Sequence, residues 1–72
     1  MSEAPKIDKV VALHLAGDAI ADAARMIAVN GLMAESAARR GDGEEAFARL
    51  RVVSDALEEA RDIVRLAGRI AK

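Results

Sequence analysis

Between Ala46 and Ala71 the chain carries two apolar seams, not one, and this limits what it can become. The first seam, Ala46, Leu50, Val53, Leu57, Ala60, Val64, Ala67 and Ala71, alternates steps of four and three. That spacing keeps side chains on one stripe of an α-helix. The second passes through Val52, Ala56, Glu59, Ile63, Leu66 and Ile70, with Glu59 as its one interruption. A single neighbouring helix covers one stripe. The expectation is therefore a hairpin core on Leu50, Val53, Leu57, Ala60 and Val64. A second packed neighbour should lie on Val52, Ala56, Ile63, Leu66 and Ile70.

The first half of the chain repeats the pattern with smaller side chains. Residues 6–40 contain no proline and many good helix formers. Gly17, Ala21, Ala24, Ala28 and Gly31 recur at helical spacing and permit close approach of another helix. Ile20, Ala24 and Ile27 are expected to complete the hairpin core. The polar stripe of His14, Asp18, Asp22 and Arg25 is narrow, and a helix apolar around most of its circumference belongs inside a bundle. Asn30-Gly31 leaves two readings open: a left-handed cap that splits the segment, or a mid-helix pair. The helical character of Leu32 to Arg40 favours a continuous or kinked helix.

Gly41-Asp42-Gly43 is the clearest punctuation. Gly41 suits the end of one helix, and Asp42 suits the start of the next, where free N–H groups need an acceptor. Glu45, three residues on, completes the pattern of a capping box, and Glu44 also favours the positive end of the helix dipole. Pro5 suits a helix boundary because its missing N–H would have no partner there. The expected organisation is a polar arm over residues 1–5 and one helical-hairpin domain over 6–72. Its first helix spans about 6–40, its turn 41–43 and its second helix about 44–71. So short a turn makes the helices antiparallel neighbours.

Seventy-two residues enclose little apolar surface unaided. Small domains are usually completed by disulfides, a structural metal or oligomerisation. This chain has no cysteine and one histidine, which leaves oligomerisation. An all-α hairpin that pairs into a four-helix bundle, or assembles into a larger helical oligomer, is the expected fold, and the partners are a second copy and another protein. The net charge of -1, from eleven Lys and Arg against twelve Asp and Glu, supplies no field that recruits a polyanion. The most apolar stretch, Val10 to Ala34, holds His14, Asp18, Asp22 and Arg25. Charges at a bilayer centre cost about 2.5 to 3.5 kcal/mol each, so no membrane partner is expected. The first nine residues lack the pattern of an export signal, and absence of cysteine fits a reducing compartment. A cytoplasmic protein is expected, and heavy use of alanine and arginine over lysine suggests a bacterial or phage genome.

Catalysis has little to work with: no Cys, no Tyr, three Ser and no Gly-rich phosphate loop. No enzyme activity and no cofactor are expected. His14, Asp18 and Asp22 share one helix face at steps of four, a weak candidate metal set too spread to hold one ion without help from another helix. Arg39, Arg40, Arg49 and Arg51 gather near the turn and could grip phosphates. Asp42, Glu44 and Glu45 share that tip, and Glu45 is spaced to pair with Arg49.

Two long helices around a Gly- and Asp-containing turn resemble the plan of the Rop-type RNA-modulating proteins, which dimerise into four-helix bundles. The likeness lies in helix pattern alone, and no base- or phosphate-contact motif matches residue by residue. The hairpin is also similar to the oligomerisation segment of phage small terminase subunits, without the preceding helix-turn-helix that would read DNA. The sequence thus implies a non-enzymatic, self-associating interaction protein, a small regulator, adaptor or assembly factor. The alternative is a nucleic-acid-binding bundle that uses the tip arginines.

Overall fold

A computed structural model describes residues 8–71 and shows two α-helices packed as an antiparallel hairpin: α1, Lys9–Arg39, and α2, Gly43–Ala71. The expected arm over residues 1–5 lies outside the described residues. The expected helix start near residue 6 also lies outside them. Helix α1 is capped by Asp8, whose Oδ1 accepts from the Val10 N–H at 2.9 Å. It then runs 31 residues through Asn30 and Gly31 without interruption.

The turn is built from two overlapping caps. Gly41 takes the left-handed conformation, φ 80°. The Asp42 N–H donates to the Ala37 carbonyl at 2.9 Å, and the Gly41 N–H donates to the Ala38 carbonyl at 3.0 Å. This crossed pair satisfies carbonyls that a helix end leaves free. The Asp42 side chain then accepts from the Glu45 N–H at 3.1 Å and opens α2. The reciprocal half of a capping box does not form. The Asp42 N–H is committed to Ala37, and the Glu45 carboxylate turns to Arg49 at 2.8 Å instead.

Helix α1 turns a ladder of small side chains toward α2. Ala23, Ala34 and Ala37 are buried there with Asn30, while Ala12, Ala16, Ala19, Ile20 and Ile27 are half-buried. On α2 the inner line is Arg49, Ala56, Ala60, Ile63 and Ala67, with Val52 and Val53 on either side of it. That line runs between the two apolar seams of α2 instead of along either, which corrects the expected hairpin core. Val53, Ala60, Ile20 and Ile27 do face inward, but Ala24 is exposed, as are Leu50 (52%), Leu57 (54%) and Val64 (62%). The physical reason is the polar pair: burying Asn30 requires the α2 face that carries Arg49, and this face lies between the seams. Among the described residues no helix is long and apolar enough to cross a membrane.

Candidate interaction face

Because the contact line splits the seams, each outer half becomes a flank of the hairpin. Helical periodicity of about 100° per residue places Leu50, Leu57 and Val64 to one side of the line and Leu66 and Ile70 to the other. The same projection divides α1 into Leu13, Gly17, Ala24 and Gly31 on one side, and Val11, Leu15, Asp22, Met26 and Met33 on the other. One open groove fixes which flanks go together, since Asp22 and Met26 line it with Val52, Asp55 and Glu59. The opposite flanks therefore share the other side.

The two sides differ in chemistry. The first, here the apolar flank, joins Leu13, Gly17, Ala24 and Gly31 of α1 to Leu50, Val53, Leu57 and Val64 of α2. Charge enters at its margins, with Lys9 at the open end, Glu35 near the turn and Arg61 at the outer edge. The second, the acidic flank, is apolar toward the open end, where Val11, Leu15, Leu66 and Ile70 are all exposed. At its middle lies the groove, about 320 Å³ in volume, with Asp22, Asp55 and Glu59 around an apolar floor of Ala19, Ala23, Met26, Val52 and Ala56.

The residues expected at a second interface are consequently divided. Ala56, at 7% exposure, is buried against α1. Val52 and Ile63 are half-buried along the same line. Leu66 and Ile70 remain open at 55% and 39%. Leu50, Leu57 and Val64 of the other seam, expected in the hairpin core, are exposed instead.

The tip arginines are not one cluster. Arg49 is drawn into the hairpin, where its Nε donates to the Glu45 carboxylate at 2.8 Å and its Nη1 to the Asn30 Oδ1 at 3.2 Å. Arg39 donates to Glu35 at 2.9 Å, Arg40 to the Ser36 hydroxyl at 3.0 Å, and Arg51 is exposed beside Phe47 and Asp55. No protein-family model matches the chain, and comparison with curated proteins and with solved structures finds no match. What the chain does has to be read from its own faces.

The weak metal set is likewise parted. The His14 Nε2 lies 3.5 Å from the Asp18 carboxylate, while Asp22 bonds to Arg25, and all four side chains are exposed. Among the described residues no group of three or more His, Cys, Asp or Glu is placed to hold a metal ion.

One structural residue escaped the sequence reading. Asn30 is 5% exposed; its Nδ2 donates to the Met26 carbonyl at 2.9 Å, and its Oδ1 accepts from Arg49 across the interface. The signal was present, since Asn30 continues the spacing of Ala16, Ala19, Ala23 and Ile27. A polar residue on such a seam fixes register through its partner, but the partner, nineteen residues away, is invisible to local pattern.

Proposed function

We propose that the chain is a non-enzymatic helical interaction module that self-associates through its apolar flank and acts as a small regulator, adaptor or assembly factor. One observation carries this reading: the buried apolar residues are Ala23, Ala34, Ala37 and Ala56, and no large side chain among the described residues is fully buried. Burying a leucine or valine is worth about 1.5 to 3 kcal/mol, and alanine contributes far less. The hairpin thus holds its two helices together with its smallest apolar groups and leaves its largest outside. An exposed contiguous face of this kind marks an interaction site.

A second copy suits the apolar flank because charge is confined to its margins and its middle, Ala24, Leu57 and their neighbours, offers a partner apolar contact alone. The acidic flank stays outward in such a pair and is where the adaptor role lies. Asp55 and Glu59, which have no ion-pair partner among the described residues, flank apolar Met26 and Val52. This arrangement complements a partner helix that carries lysine or arginine beside apolar side chains. Methionine adapts its shape to such a partner readily.

Light scattering over a range of concentrations tests the self-association. The unaltered chain is expected at two chains or more, and Leu57→Glu, which sets a carboxylate in the middle of the apolar flank, at one chain or unfolded. Leu32→Glu changes an exposed side chain outside that flank and should keep the assembled mass. A single-chain mass at every concentration for the unaltered protein removes the reading.

A further inference from the structure

The apolar flank has a relief as well as a polarity. Along α1 it carries Gly17, Ala24 and Gly31, and along α2 Val64, Leu57 and Leu50; both rows step by seven residues. Asn30 stands level with Arg49, and Ala23 lines one groove with Ala56. Counting outward from these pairs sets Gly17 beside Val64, Ala24 beside Leu57 and Gly31 beside Leu50, each couple within about 3 Å of axial height at 1.5 Å per residue. Side chains lean toward the N-terminus of their own helix, and here the lean of each α2 side chain toward the turn reduces that offset. Every heptad of the flank therefore presents a projection and a hollow side by side. The projections are more than half exposed. The hollows are empty, since a Cβ at Gly17 or Gly31 would meet nothing within 4 Å.

We infer that a second copy of this chain covers the flank about a two-fold axis parallel to the helices, so that Leu50, Leu57 and Val64 of each copy seat over Gly31, Ala24 and Gly17 of the other. This rests on the self-association proposed above and adds its geometry. Rotation about that axis keeps every residue at its own height while exchanging the sides on which α1 and α2 lie. Projection then meets hollow in both directions at once, as an isologous interface requires. Each α1 runs antiparallel to both α2 helices beside it, an arrangement the helix dipoles favour. A two-fold axis perpendicular to the helices would instead stack α1 on α1 and α2 on α2, hollow on hollow and projection on projection. The area suffices: a flank about 45 Å long and two helix diameters of ~10 Å wide offers roughly 900 Å². A standard stable interface takes about 800 Å² per partner.

The two axes place the turns differently, and a distance between turns separates them. The chain has no cysteine, so Arg40→Cys gives one spin-label site at an exposed position beside the turn. With the axis parallel to the helices, both labels lie at one end of the bundle, at about 30 Å or less, since neighbouring helix axes are ~10 Å apart. With the perpendicular axis they lie at opposite ends, beyond about 45 Å. Solution mass is measured on the same labelled sample. Two chains with the short distance support the arrangement; two chains with the long distance overturn it and leave self-association standing. A single-chain mass overturns both. An exchange of relief tests the seating itself: Ala24→Leu should weaken dimerisation at least tenfold, and adding Leu57→Ala should restore it. Failure of the exchange to restore it overturns the seating of Leu57 over Ala24.

Discussion

Asn30 shows how one polar side chain can choose between faces that apolar pattern leaves equivalent. It is buried, it satisfies one end of its amide within α1, and it needs a donor from α2, which Arg49 supplies. Asn30→Ala would remove that acceptor and leave the guanidinium half-buried with Glu45 alone. A loss of about 1 to 2 kcal/mol in unfolding free energy is expected, read from urea midpoints at fixed protein concentration. Asn30→Ala combined with Arg49→Met should cost less than the two single changes together, because the paired groups leave at once. Residue-scale features that depend on near neighbours were legible in the sequence: Gly41 and Asp42 do what their types and order suggest. The Asn30–Arg49 bond was not, because its two ends are far apart in the chain and only packing brings them together.

At the scale of the element, α2 carries two seams and presents neither of them squarely to α1. The sequence shows that both stripes exist, and the four-and-three spacing locates them correctly on the helix. It does not show that the contact line falls between them, because spacing alone gives the stripes equal claim. Side-chain size weighs against Leu50, Leu57 and Val64 as the inner line: the line that packs is rich in alanine, with Ala56 and Ala60 on α2 and Ala19 and Ala23 on α1 all buried or half-buried. Close packing along this line can be tested by enlarging it. Ala56→Leu, at a buried site, should destabilise the hairpin by about 1 to 3 kcal/mol through overpacking. Ala48→Leu, on the exposed side of the same helix, should leave the denaturation midpoint within about 0.5 kcal/mol of the parent.

For the whole molecule, a hairpin whose largest apolar groups lie outside is stable in proportion to how much of it is covered. If self-association supplies that cover, the melting temperature rises with protein concentration, since assembly draws on the folded state by mass action. Scanning calorimetry over a hundredfold range of concentration should show an upward shift of several degrees; a constant midpoint is the result for a chain stable alone. The architecture of the single chain was legible because two proline-free helical segments around one glycine-rich turn leave few alternatives. The division of its surface into an apolar and an acidic flank was not, because it depends on how α1 and α2 are rotated about their own axes.

Asp42 closes α1 through its main chain and opens α2 through its side chain, so the turn contains no slack. A residue inserted between Gly41 and Gly43 would separate the two caps and rotate α2 relative to α1. Straightening the turn into one long helix, the route by which two copies could trade their α2 segments, would give up both caps together. The bend therefore acts as a latch against exchange of α2 segments between copies, because opening it gives up the Asp42 main-chain and side-chain bonds together.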